Sequence, residues 1–438
     1  MTPAARVQAQ IEVLDSILSG RLPADRVLGD YLRARRYIGS KDRRAIPDSV
    51  YGVLRNLAKL TWWCTRSGWE ATDARALALA AQALLARLDA AKIAALLDGG
   101  PYSPAPLSES EVANLAALVG QDLEFAEQDT ATRLEVPAWL LPRLEAAFGE
   151  ALETELQALN SDAPVDLRVN SLAGDLEAAR AVLAAEGIEA APVPGVPLAL
   201  RQTARRPVQA TEAFRAGLVE IQDAGSQIAA QLCGARPGMA VADFCAGGGG
   251  KTLALAAAME NRGRLVALDV AQSRLDRSAA RLRRAGVSIV ERRVLPDAAW
   301  QRAQAAAFDL VLVDAPCSGS GAWRRDPYAR WQLDEEQFAR YAQAQADSLD
   351  QAAGLVRPGG RLVYVTCSLL PEENEVRVQA FLQTHDGFSV QPAAGAWAAA
   401  GLPMPAETPF KGPYVQLTPA RHGTDGFFVA ILARDAAP

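Results

Sequence analysis

The chain has 438 residues, half of them hydrophobic, and a formal net charge of −6. The length suggests two or three domains with a sizeable core, and the acidic balance gives no overall field that would draw nucleic acid, so local patches must decide that point. Five scattered cysteines and only two histidines, His385 and His422, exclude a disulfide framework and argue against a zinc site.

From the start to about residue 95 the pattern is helical. "AARVQAQIEVLDSILSG" and "ARALALAAQALLARLDAAKIAALL" repeat apolar residues at three- and four-residue spacing, the period of a half-buried helix. "DGGPYSPAPLSESEV" is a turn-rich break, since proline and glycine interrupt the helical pattern. Helices resume in "SESEVANLAALVG" and "PAWLLPRLEAAFGEALETELQALN". "VDLRVNSL", "DLEAARAVLAAEG" and "IEAAPVPGVPLALRQ" then read as strand, helix, and strand with turns. The expected domains are 1–135, helical; 136–215, a helical linker with a small α+β unit; and 216–438, an α/β sheet domain. The start "MTPAARVQAQIEVLDS" lacks the apolar core of a signal peptide, and no run is long enough to span a bilayer. The expectation is a soluble cytoplasmic protein, monomeric by default, with no membrane or metal partner.

Beyond about Val219, strands alternate regularly with helices. "AVADFC", "RLVALDV", "SIVERRV", "FDLVLVDAP" and "RLVYVTCS" are nearly continuous apolar strands, which implies a parallel sheet buried on both faces. "GFSV" and "GFFVAILAR", joined by a Pro-rich connection, suggest an antiparallel finish. The fold class is therefore α/β, with a mostly parallel Rossmann-like sheet after a small α+β unit and an all-α domain.

The loop after the first of these strands reads "CAGGGGKT". A triphosphate loop, G-x-x-x-x-G-K-[ST], needs a glycine where Cys245 stands, and G-x-G-x-x-G also fails because its last position is Thr252. What fits is a strand, a tight glycine turn and a helix, which bring backbone N–H groups close to a ligand left open at this step. Asp269 ends the second strand, where a carboxylate would meet ribose hydroxyls; capping the next helix is the plainer reading. Asp314 and Cys317 end the fourth strand in "VDAPCSGSG", and Cys367 ends the fifth in "VTCS". Either cysteine alone reads as a small buried hydrophobe. Two at the ends of neighbouring strands, each among polar turn residues, read less easily so.

A thiolate is a nucleophile for covalent catalysis. Carbon 5 of a pyrimidine takes no methyl group unaided. Thiolate addition to carbon 6 makes carbon 5 enamine-like, able to attack a methyl sulfonium. A base then removes the carbon 5 proton and the thiolate leaves. Asp314 is suited to hold the ring nitrogen edge.

"VEIQDAGSQIAAQL", "DFCAGGGGKT", "ALDVAQSRLDR", "VDAPCSGSGAWRRDPYARW", "YVTCSLLPEENE" and "GTDGFFVAIL" occur in that order. Together they resemble the RsmB/Sun group of RNA cytosine-5 methyltransferases, over about half of the chain. The resemblance implies S-adenosylmethionine as cofactor, an RNA substrate (small-subunit ribosomal RNA), Cys367 as nucleophile and Cys317 as the residue that assists product release. It assigns cofactor contacts to Cys245, Ala246, Gly247, Gly248, Gly249, Gly250 and Lys251, and to Asp269 and Asp314. Gly248 stands where the group's loop usually has proline. The acid after the third strand would be Asp297, a residue or two late; a helix N-cap is an equal reading for it. Rival readings are a methyltransferase on transfer RNA, one on protein or small molecules, which needs no cysteine pair, and an RNA-binding assembly factor without catalysis.

"YIGSKDRRAIPDSVYGVLRNLAKLTWW" resembles the NusB-like helical domain found in front of bacterial RsmB enzymes. NusB-like domains bind RNA, and the basic residues here are Arg33, Arg35, Arg36, Lys41, Arg43 and Arg44; a solvated helix face is the alternative. In the sheet domain, Arg324 and Arg325 would meet phosphates and Trp323, Tyr328 and Trp331 would stack on bases, or else pack on the sheet.

Overall fold

The computed structural model describes residues 1–436. Two compact units divide the chain. One comprises Met1–Ser161 together with Trp323–Asp334, the other Asp162–Ala322 together with the chain from Glu335 onward.

The first unit is all helical, as its periodicity implies. Thr2 caps Pro3–Leu18 by accepting the Ala5 N–H at 3.1 Å. Apolar residues at helical spacing, such as Val13, Leu14 and Ile17, close a core with Ile46, Val50 and Leu77. Ser108 and Glu111 form a reciprocal capping box on Glu109–Ala116. Gly149 breaks the predicted stretch 137–160 into Leu141–Phe148 and Leu152–Asn160.

The segment Trp323–Asp334 belongs to this helical unit. Trp323 and Arg330 are fully buried, Arg324 is 4% exposed, and Tyr328 and Trp331 pack on the helical core. Tyr328 and Trp331, half-buried, therefore pack on helices, and Trp323 is buried with Arg330 over its ring. Arg330 donates to the Glu135 carbonyl at 2.9 Å.

The second unit carries two sheets. The smaller has the order β2-β3-β1-β4, all antiparallel, from β1 (Asp166–Val169), β2 (Ala190–Pro192), β3 (Ala199–Gln202) and β4 (Val219–Ile221). Leu167 and Val169 of β1 enter its core. The alternate positions are polar and tie it down: Asp166 accepts from Arg201 and from the Ala224 N–H, and Asn170 donates to the Ala285 carbonyl.

The larger sheet holds β5 (Ala240–Asp243), β6 (Arg264–Asp269), β7 (Val290–Val294), β8 (Phe308–Asp314), β9 (Val356–Thr366), β10 (Phe388–Gln391), β11 (Phe410–Lys411), β12 (Tyr414–Leu417) and β13 (Phe427–Arg434). Its order is β11-β12-β13-β9-β8-β5-β6-β7, with β10 also on β13. Strands β9, β8, β5, β6 and β7 are parallel, and β13 runs antiparallel to β9. Alternation along β8 sends Leu310 and Leu312 to one face and Val311 and Val313 to the other, and both faces are core. Winding outward from β5 in both directions makes a switch point between β5 and β8, where an open α/β sheet takes its ligand. No helix among the described residues is long and apolar enough to cross a membrane, and no cluster of His, Cys, Asp or Glu among them has metal-holding geometry.

Glu135 shows what holds the helical unit together. Its carboxylate accepts the N–H groups of Ala58 and Lys59, at 2.8 and 3.1 Å, in the first turn of Leu57–Arg66. Burial pushes that carboxyl up to about 7. Glu135→Ala orphans one buried and one half-buried donor, and the expected loss is about 1–3 kcal/mol, read from urea unfolding; an unchanged midpoint contradicts this.

Candidate active site

The glycine turn is built by its neighbours. Asp243, at the end of β5, is fully buried and accepts the Thr252 hydroxyl at 2.6 Å, which joins the strand end to the helix Gly250–Ala258. The other oxygen, Oδ1, has no partner. Gly247 donates to Asp269 Oδ2 at 2.9 Å, and Ala271 donates to Oδ1 at 2.8 Å. Asp269 thus braces the turn from β6. Gly249 has φ of 81°, and a Cβ there would stand 2.9 Å from that of Ser278; the turn needs both the left-handed backbone and the close approach. Arg281 donates to the Gly248 carbonyl at 2.6 Å, so the position that departs from the usual proline is clamped from the next helix.

Lys251 points into the rim. Its ammonium donates to Asp314 Oδ1 at 2.8 Å and lies 5.1 Å from the Phe427 ring centroid. Burial works against the charge, but the Asp314 carboxylate outweighs it and holds the lysine above its ordinary value.

The thiols of Cys317 and Cys367 lie 3.5 Å apart. The hydrogen bond to Cys367, followed by burial, pushes the Cys317 thiol well above the ordinary range. Cys317 therefore keeps its proton at neutral pH. Their loops are fixed by close backbone approach: Gly321 donates to the Cys367 carbonyl at 2.9 Å, and Gly426 donates to the Gly321 carbonyl at 2.8 Å. A Cβ on Gly321 would sit 2.4 Å from the Gly426 oxygen, so no side chain fits there. Cys245, whose thiol burial pushes up to about 12, donates to the Ser348 hydroxyl at 3.9 Å.

A cleft of about 540 Å³ opens beyond the carboxyl ends of β5, β6, β7 and β8. Phe244, Leu295 and Pro296 give it apolar walls, and Asp269 and Asp314 give it acids. Flat apolar walls with a carboxylate at a strand end fit an adenosyl group, and the orphaned Asp243 oxygen is one more acceptor near the turn. Asp297 does not line this cleft. It caps Ala298–Ala303 through the Trp300 N–H at 3.0 Å and pairs with Arg293 at 3.1 Å.

Sequence reasoning overlooked the polar residues behind the cysteines: Ser318, Ser320, Gln345, Ser368, Glu373 and Asn374. "PEENE", directly after the Thr-Cys turn, was the available signal. In the helical unit, Arg33 pairs with Asp30, Arg35 pairs with Glu12, and Arg43 donates to the Ile38 and Leu32 carbonyls. Arg43 is therefore tied into the fold, whereas Arg33 and Arg35 sit in surface ion pairs.

A doubly wound sheet with a glycine turn at its switch point and an acid ending the next strand is shared by dinucleotide-binding dehydrogenases and S-adenosylmethionine-dependent methyltransferases, and similarity to known proteins selects the second. A profile of the family described as 16S rRNA methyltransferase RsmB/F matches residues 231–433, and one for the RsmF/B-like ferredoxin-like domain matches 136–209. Ribosomal RNA small subunit methyltransferase B of Klebsiella pneumoniae is 30% identical over 410 residues, covering 91% of each chain. Its namesake from Salmonella arizonae is 30% identical over 409 residues, covering 91% of this chain and 92% of the relative. Among solved structures, PH0851 superposes with a TM-score of 0.78 at 25% identity over 99% of both chains. A methyltransferase homolog from Pyrococcus horikoshii gives 0.59 at 28% identity, over 69% of this chain and 97% of the other. The chain belongs to the RsmB/F family of methyltransferases.

Burial of Asp243 holds its carboxyl up at about 7, with Asp314 and Asp269 adding to the rise and Thr252 and Lys251 opposing it. An acid raised on folding stabilises only while protonated. Its contribution is complete below about pH 4 and lost as pH rises through about pH 7. Asp243→Asn removes that titration, so its urea-unfolding stability falls less than the wild type's across this window; parallel pH dependences contradict the assignment.

Proposed function

We propose that the chain is an S-adenosylmethionine-dependent methyltransferase of small-subunit ribosomal RNA that acts on carbon 5 of cytosine through a cysteine adduct. The observation that carries this reading is the Cys317–Cys367 contact of 3.5 Å beside the Lys251–Asp314 pair. Methyltransferases that act on oxygen, nitrogen or small molecules have no use for two thiols at one rim. The names of the relatives supply the ribosomal RNA substrate.

The glycine turn, Asp269 and the apolar cleft walls would hold the cofactor, which supplies an electrophilic methyl group when bound. The target base must leave its stack to reach the thiols. The Cys367 thiolate adds to carbon 6, forming a C–S bond and moving the ring's π electrons toward the N3 edge. Asp314, fixed by Lys251, accepts from the exocyclic amine at that edge, and N3 takes up a proton from water that neutralises the adduct and is given back when the thiolate leaves. Carbon 5 then takes the methyl group as the sulfonium C–S bond breaks. Loss of the carbon 5 proton to a base re-forms the ring double bond and expels the Cys367 thiolate. Cys317, which keeps its proton, is poised to donate to the departing sulfur. Arg205, Arg206, Arg277 and Arg283 are among the exposed cations of this unit that could meet phosphates.

With tritiated S-adenosylmethionine and ribosomal RNA or subunits, wild type labels cytosine, Cys367→Ala labels none, and Cys317→Ala stalls as a covalent protein–RNA adduct. An active Cys367→Ala contradicts the nucleophile; a wild type that labels no RNA contradicts the enzyme reading. Asp269→Ala weakens cofactor binding about tenfold or more by calorimetry; unchanged affinity removes Asp269 from the site.

A further inference from the structure

The loop that carries Cys317 is gripped from behind by an acid that the reaction above does not use. Glu373 is fully buried in the short turn Pro371–Glu373, a few residues after Cys367. Its Oε1 accepts the Ser318 N–H at 2.8 Å and the Gln345 amide at 3.0 Å, and its Oε2 accepts the Ser318 hydroxyl at 2.5 Å. The same Gln345 nitrogen donates to the Pro316 carbonyl at 3.0 Å. The residues on both sides of Cys317 are therefore held by one carboxylate and its amide partner.

The other end of the clamp is attached to the Cys367 strand. The Glu373 carbonyl accepts the Tyr364 hydroxyl of β9 at 2.7 Å. Asn374, the next residue, accepts the Thr366 hydroxyl at 2.6 Å and donates to the Ser368 carbonyl at 2.9 Å. Glu373 and Asn374 thus fix each cysteine through the residues beside it. The donors that reach the Glu373 carboxylate are neutral, and burial raises its pKa. A buried carboxylate without a cation is an expensive way to fill space. Here it supplies two acceptor oxygens that grip three donors at once, which no apolar side chain does. Its charge also adds, after the Cys367 contact and burial, to what keeps the proton on Cys317.

We propose that Glu373 is a positioning residue for Cys317, holding Ser318 so that the Cys317 thiol stays against Cys367 during product release. This rests on the covalent reading above. A positioning role for release predicts that loss of Glu373 copies loss of Cys317: methyl transfer proceeds and the product stays attached. Loss of general site structure would instead prevent the adduct from forming.

The test compares wild type, Cys317→Ala, Glu373→Ala, Glu373→Asp and Glu373→Gln on denaturing gels after reaction with labelled cofactor and RNA. Glu373→Ala is expected to accumulate adduct and to lose turnover by about 100-fold, with RNA KM and cofactor affinity held within about threefold. Glu373→Asp keeps the charge but withdraws it from Ser318; it also accumulates adduct, and it decides the matter if the alanine variant melts below the working temperature. Glu373→Gln keeps the length and an acceptor for the Ser318 N–H, and it recovers most of the turnover. Inactivity of the folded variants without adduct, or turnover of Glu373→Ala close to wild type, overturns the proposal. Alkylation by iodoacetamide, mapped by mass spectrometry without RNA, gives an independent readout. Glu373→Ala changes the Cys317 rate by about tenfold or more and leaves that of Cys245 unmoved. If the Cys317→Ala lane holds no adduct while this rate still changes, the covalent reading fails and the positioning of Cys317 stands; an unchanged rate overturns the positioning.

Discussion

The parallel pairing of β8 with β9 is the constraint from which the site follows. Asp314 lies opposite Val365 in that ladder, so the turns that leave the two strands emerge side by side at the same edge of the sheet. Three residues past Asp314 comes Cys317, and two past Val365 comes Cys367. A parallel ladder has no freedom to slip by one residue without reversing every side chain between two cores. The 3.5 Å thiol contact is therefore a consequence of strand register, held by neighbouring polar residues.

Around that edge, buried charge is arranged in compensating steps. Lys251 neutralises Asp314, Asp269 takes backbone N–H groups, and Asp243 is raised by burial with one oxygen bound to Thr252. The glycine turn is thereby braced from β5, from β6 and by Arg281 before any ligand arrives. A turn fixed in advance loses little freedom when it binds, which favours affinity.

Much of this was legible in the sequence because it is local. Apolar runs of strand length, the glycine turn, and cysteines directly after strand ends are short-range signals, and the parallel sheet they imply is present. What escaped depends on long-range packing. The segment Trp323–Asp334 is close in sequence to the Pro-Cys turn, yet its tryptophan and arginine are buried within the helical unit. No periodicity reveals that choice of neighbour. Strands β11 and β12 are too short and too close to prolines to read as strands. For Asp297 the cap and the ligand-contact readings share one signature in the sequence; in the fold its carboxylate accepts the Trp300 N–H and pairs with Arg293. Glu373 sits in an acidic run, and its burial comes from the fold around it.

The central claim is that Cys367 is the atom-level nucleophile toward cytosine. The most direct measurement uses target RNA carrying 5-fluorocytidine, whose fluorine cannot leave as a proton does, so any carbon 6 adduct persists after methyl transfer. Protease digestion and mass spectrometry then locate the attached nucleotide. The account predicts a single modified peptide, with the nucleotide on Cys367 and one methyl group on the base. Attachment at Cys317, or methylation without any attached peptide, contradicts it.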